Sequence, residues 1–250
     1  MTTHSPAFVS IEGLEGLVLV YKEDGSTRVR QLTRPSLVRK CIEMGVPDDR
    51  VNENNILPFY AANATSEILS GFFARLVVLV EGPTEALALP ILLAKRGLEV
   101  EREGIAVLSV GGKGNLAKWY RLFSAYGISC YIVFDNDETD DSRGTKRNDA
   151  LRAVGVSDET VEDLIQSDDW VVEDGYMIFG RDYETLMGRN FRDYNKLERR
   201  AAENGVSSKP FVARWVARQL DSESGDLGWE KVDQMIEALK RLLGARMDNL

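Results

Sequence analysis

The sequence predicts an α/β fold: a parallel sheet flanked by helices, followed by a carboxy-terminal helical subdomain. Three observations predict it. Short runs rich in Val, Leu, Ile and aromatic residues recur at 76–81, 105–110 and 130–135, each closed by polar residues. Stretches with helical character separate them. Strands that alternate with helices at this spacing form a parallel sheet covered on both faces.

The elements follow in order. Residues 18–32, VLVYKEDGSTRVRQL, read as a hairpin that turns at Glu-Asp-Gly. Residues 35–45 look helical, and 48–64 are polar and rich in turn formers. A helix through 66–74 leads into the strand at 76–81. A second helix spans 84–96. The strand at 105–110 precedes the turn GGKGN and a helix that runs to about residue 125. After the strand at 130–135 come a charged loop and a helix near 146–153. Residues 156–250 are mostly helical, except WVVEDGYMIFGRDYE, which supplies one or two further strands. A charged stretch at 189–204, a helix over 210–220 and an amphipathic helix over 230–243 complete the chain.

Composition narrows the function classes. A chain of 250 residues makes one large domain or two small ones, and 44% hydrophobic residues support a real core. No run approaches the roughly 20 apolar residues of a membrane span. The start, MTTHSPAF, lacks the basic and apolar regions of a signal peptide. Cys41 and Cys130 lie far apart without metal-ligand spacing, so buried thiols in a cytoplasmic setting are expected. The net charge of −9 argues against a simple basic clamp on nucleic acid. It leaves room for an enzyme acting on nucleic acid, because bound metal ions offset acids in an active site.

Four motifs carry chemistry. Glu81-Gly82-Pro83-Thr84-Glu85 is a strand-to-helix turn: Gly82 permits the bend, Pro83 suits the first helical turn, and Glu85 falls in that turn. Glu85 there either complements the helix dipole or binds a cation. In Asp135-Asn136-Asp137 the two aspartates, two residues apart on extended chain, point to one side. They form either a solvated acidic turn, continued by Glu138, Asp140 and Asp141, or a ligand pair whose repulsion a cation relieves. Taken together across the intervening strand–helix unit, the two motifs favour Mg²⁺ or Mn²⁺, which prefer oxygen ligands. Gly111-Gly112-Lys113-Gly114-Asn115 is either a phosphate cradle, with Lys113 adding charge, or a tight turn. Asp182 and Glu184 repeat the placement of acids after an apolar run, as ligands or as a helix start. Lys209 stands just before Pro210 and a helix. The arginines 189, 192, 199 and 200 are interleaved with acids and read as a salt-bridged helix face, and the four tryptophans as core or interface anchors.

A glutamate after the first core strand and an Asp-x-Asp after the third resemble the Toprim domain. The segments VVLVEGPTEALALPIL, GIAVLSVGGKGN and GISCYIVFDND are similar to successive blocks of the OLD (overcoming lysogenization defect) family of nucleases. The similarity covers roughly residues 70–220. The resemblance implies a Rossmann-like Toprim sheet, with Glu81, Glu85, Asp135 and Asp137 as metal ligands and Asp182-Tyr183-Glu184 as a later acidic motif. It implies that Lys209 is the catalytic lysine. Residues 2–8, TTHSPAF, resemble the switch-histidine loop that ends an ABC-type ATPase domain, with His4 as the histidine. No Walker A motif is present in these 250 residues.

The expected organisation is thus an ATPase remnant and linker over 1–70, a Toprim domain over 71–188 and a helical subdomain over 189–250. A carboxy-terminal fragment, a truncated product or half of a split system would each fit. The expected activity is a metal-dependent DNA endonuclease that uses two ions, acts with an ATPase domain or partner and assembles as a homo-oligomer, without membrane contact. Phage defence and DNA repair are both compatible settings. The rival reading is a non-catalytic DNA-binding or assembly module of an ATPase-coupled complex.

Overall fold

A computed structural model describes residues 2–23, 25–138 and 141–248. Asp24 of the expected hairpin turn and Asp140 of the acidic run lie outside the described residues.

The chain opens with the antiparallel hairpin β1 (Val18–Glu23) and β2 (Ser26–Gln31), in which Val20 pairs with Val29. Three helices follow: α1 (Arg34–Glu43), α2 (Ile56–Asn63) and the single turn α3 (Ser66–Leu69). The core unit is β3 (Leu76–Val80), α4 (Pro83–Lys95), β4 (Ile105–Ser109), α5 (Leu116–Ala125), β5 (Ser129–Asp135) and α6 (Thr145–Ala153). Then come α7 (Asp158–Gln166), β6 (Val171–Val172), β7 (Tyr176–Phe179), α8 (Tyr183–Asn190), α9 (Tyr194–Glu203), α10 (Lys209–Gln219) and α11 (Leu227–Asp248).

Five of the strands form one sheet in the order β4-β3-β5-β7-β6. The first four run parallel and β6 is a short antiparallel edge. The sheet is therefore mixed rather than wholly parallel, and the WVVEDGYMIF stretch contributes two strands, as expected. The chain steps from β3 outward to β4 and then returns to the other side of β3 as β5. Such a reversal opens a crevice at the carboxyl ends of the strands, where α/β folds bind ligands.

Both faces of the sheet are buried, which explains why its strands read as unbroken apolar runs. Leu76, Val78, Val80, Tyr131, Val133, Met177 and Phe179 face α4 and the helices α8 to α11. Val77, Leu79, Leu108, Cys130, Ile132, Phe134 and Ile178 face α5, α6 and the amino-terminal segment. Leu14, Leu37, Ile56 and Tyr60 belong to that second core, so residues before 70 pack directly on the sheet. Both cysteines are buried free thiols, and Trp119, Trp170 and Trp229 are buried, as the sequence predicts.

The turn-rich reading of 48–64 is corrected at its second half, where 56–63 is helical. Tertiary packing overrides local composition: the Tyr60 ring meets Trp119 edge-on with centroids 5.4 Å apart, and its hydroxyl donates to the Lys118 carbonyl at 2.9 Å. The segment 66–74 is one α-turn followed by a 3-10 turn rather than a continuous helix. The last helix extends beyond the predicted 230–243 at both ends. Among the described residues, no helix is long and apolar enough to cross a membrane.

Gly180 ends β7 where the chain at 168–169 crosses it. A Cβ there would lie 2.1 Å from the Asp168 carbonyl carbon and 2.3 Å from the Asp169 nitrogen, both backbone atoms that cannot swing aside. Gly180→Ala is expected to destabilise the fold by about 1–3 kcal/mol through overpacking, read as a lower urea midpoint.

Candidate active site

Parallel register brings the sequence-predicted acids to one edge. Val80 pairs with Val133, and Asp135 pairs with Phe179, so β3, β5 and β7 end side by side. Glu81 is the first residue after β3, its N–H donating to the Val133 carbonyl at 3.2 Å. Asp135 closes β5, and Asp182 and Glu184 follow β7.

Each side chain has a local reason for its place. Gly82 is the N-cap of α4, and its N–H donates to Glu85 Oε2 at 3.1 Å. Glu85 is thereby held at the third helical position, buried beneath the edge. Asn136, between the two aspartates, points the opposite way. Its amide donates to the Leu164 and Ser167 carbonyls, and its carbonyl accepts from Arg147 at 2.7 Å. Arg147 is buried and paired with buried Asp141, whose carboxylate also accepts from the N–H groups of Lys146 and Arg147. This ion pair fixes the loop so that Asp135 and Asp137 face the acidic edge. Charge spacing gave no sign of it, although an acid placed just ahead of a helix start is a signal for such a cap.

The remaining residues divide. Asp182 is the N-cap of α8: Oδ1 accepts from the Thr185 N–H at 2.8 Å and Oδ2 from the Thr185 hydroxyl at 2.7 Å. Both its oxygens are thus engaged, the helix-start alternative of the sequence. Glu184 lies in the first turn of the same helix, near enough to Glu85 to raise its proton affinity. Lys209 begins α10 and reaches back to Glu184, 3.5 Å away, while 79% of its side chain stays exposed. The glycine turn departs from a phosphate cradle: the Gly112 N–H donates to the Glu81 carbonyl at 2.9 Å, and Lys113 turns inward to Asp137. The tight-turn alternative describes Gly111 and Gly112 in this structure. His4 is exposed, its ring tilted 52° to that of Phe73 with centroids 6.5 Å apart, just before β3 and so toward the opposite end of the strands.

Electrostatics reflect the crowding. Burial, then the charges of Glu85 and Glu81, push Asp135 up to about 9, against a backbone hydrogen bond from Tyr183. Burial, aided by Glu81 and Glu184, raises Glu85 to about 7. Glu81 is raised by burial and by Asp137, with Lys113 opposing. Glu81 Oε2 and Asp135 Oδ1 are buried without a hydrogen-bond partner, although Lys113 Nζ lies 3.8 Å from the former. At that length the contact is an ion pair and not a hydrogen bond. Orphaned carboxylate oxygens with unfavourable charge are a donor set suited to a hard divalent cation. As the side chains stand, no three acids, histidines or cysteines among the described residues converge on one point.

Residues 72–137 match the family described as overcoming lysogenization defect protein-like, TOPRIM domain. The Old nuclease of Escherichia phage P2 is 27% identical over 152 residues, 60% of this chain and 24% of that protein. The chain thus spans about a quarter of that relative's length. The C-terminal region of the Burkholderia pseudomallei OLD protein shares the fold, with a TM-score of 0.51 at 20% identity over 68% of this chain and 99% of that one. The corresponding region of the Xanthomonas campestris pv. campestris OLD protein aligns at a TM-score of 0.49 and 18% identity, over 70% and 98% of the two chains.

The proton affinities give a pH prediction for protein in EDTA. Asp135 and Glu85 bind protons more tightly when folded than their ordinary values of 3.8 and 4.5 allow. The folded state then holds more protons than the unfolded chain. The resulting stability is fully present below about pH 4 and is lost as pH rises through about 7 and about 9. Thermal unfolding in EDTA should show a lower Tm at pH 8.5 than at pH 5.5, with Asp135→Asn flattening the slope.

Proposed function

The chain carries an OLD-family Toprim region, and on that premise we propose that it is a metal-dependent endonuclease cleaving DNA phosphodiester bonds. The observation that carries the reading is that the ends of β3 and β5 and the start of α8 bring acids to one edge, with two buried carboxylate oxygens unpartnered. Mg²⁺ or Mn²⁺, if bound at this edge, would supply an activated water and offset charge on the phosphodiester.

The chain's own residues divide the remaining work. Glu81, Asp135 and Asp137 would hold a first ion. Glu85 and Glu184 would hold a second, while Asp182 caps α8 and so aims Glu184. Lys209, exposed and anchored at the start of α10, presents its ammonium to the phosphoryl oxygens as negative charge develops. Arg147 and Asp141 keep the two aspartates turned to the edge. In the same reading the chain works beside an ATPase, in one polypeptide or as a partner, as the likeness of residues 2–8 to a switch-histidine loop suggests.

Supercoiled plasmid tests this directly, incubated with the protein in EDTA, Mg²⁺ or Mn²⁺ and analysed on agarose. The expected result is metal-dependent nicking or linearisation, abolished in Asp135→Ala and strongly reduced in Lys209→Ala, with both variants folded by circular dichroism. Full cleavage by Asp135→Ala would sink the assignment. Absence of cleavage by folded wild-type protein that binds metal would favour the non-catalytic assembly module.

A further inference from the structure

Lys113 lies inside the acidic edge rather than beside it. Its side chain is 2% exposed. The ammonium donates to Asp137 Oδ1 at 2.9 Å and to the Asp137 carbonyl at 3.0 Å, and stands 3.8 Å from Glu81 Oε2. A buried lysine placed for stability needs every partner bonded, because desolvating the charge is otherwise uncompensated. Here the contact with Glu81 stays open, and Glu81 Oε2 has no hydrogen bond. The two carboxylates that flank the ammonium come from different strand ends, and they are two of the three acids assigned above to the first ion. Both are turned to Lys113, and no three acids among the described residues converge.

We propose that Lys113 is a resident cation of this edge that competes with the divalent ion for Glu81 and Asp137, so that its release sets how tightly the first ion binds. The inference rests on the nuclease reading for the identity of the incoming cation. Two like charges cannot share these carboxylates at close range in a buried site without strong repulsion. Metal entry therefore requires the ammonium to withdraw.

The turn before Lys113 is tied down, with the Asn115 amide donating to the Val110 carbonyl at 3.0 Å and the Gly112 N–H to the Glu81 carbonyl. Withdrawal of the ammonium is therefore a movement of the side chain and not of the turn.

The test is Mn²⁺ binding by isothermal titration calorimetry, paired with thermal unfolding in EDTA, on wild type, Lys113→Gln, Lys113→Met and Lys113→Arg. Lys113→Gln keeps a donor for Asp137 and guards against misfolding of the methionine variant. Competition predicts that both uncharged variants bind Mn²⁺ about 10-fold or more tightly than wild type, a change of about 1.4 kcal/mol. It also predicts a lower Tm in EDTA for both, since the acids lose their buried cation. Lys113→Arg, which keeps the charge, should not tighten binding. If wild type binds Mn²⁺ and the uncharged variants bind equally or more weakly, the competition is overturned and the metal site stands. If none of the four binds Mn²⁺, the metal reading falls and this inference with it.

Discussion

Parallel pairing of β3, β5 and β7 directs the carboxyl ends of all three strands to one edge, and the acids follow because each stands within a few residues of its strand end. An antiparallel partner in any of these places would have sent its acid to the far end of the sheet. The register leaves the carboxylates little freedom to separate, since Glu81 is bonded through its N–H to β5 and Asp135 lies within the β5–β7 ladder. Burial first, and then their mutual repulsion, raise the proton affinities of Asp135 and Glu85 well above the ordinary carboxylate range.

Holding such an edge together takes packing on both sides. One face of the sheet is covered by α4 and the carboxy-terminal helices, the other by α5, α6 and the segment before residue 70. The flanking segments expected as separate units are parts of the two cores that clamp the central strands. Hydrophobic burial on both faces supplies the stabilisation against which a few charged groups can be held in unfavourable positions.

Three basic residues divide the control of this charge by their depth. Arg147 is buried behind the aspartate loop, paired with Asp141, and acts on backbone geometry. Lys113 is buried within the acids themselves. Lys209 is exposed at the rim and reaches Glu184. Depth decides what each one touches: the cation behind the loop holds backbone, the one within the cluster meets carboxylates, and the one at the rim stays largely in solvent.

The core strands and the acids at their ends were legible in the chain alone, because a strand buried on both faces must be apolar throughout and must stop where polar residues begin. The positions of Glu81, Glu85, Asp135, Asp137 and Lys209 followed from that logic and from the resemblance. The tertiary structure decided what local pattern does not encode. The helix over 56–63 exists because Tyr60 packs on Trp119, 59 positions away. Asp182 became a cap because Thr185 takes both its oxygens. Lys113 reads in sequence as part of a glycine-rich phosphate turn, yet its ammonium ends among carboxylates contributed by β3 and the loop after β5. Those contacts cross between strands that are neighbours only in the folded sheet, so the charge balance of the edge belongs to the fold and is absent from any single stretch of chain.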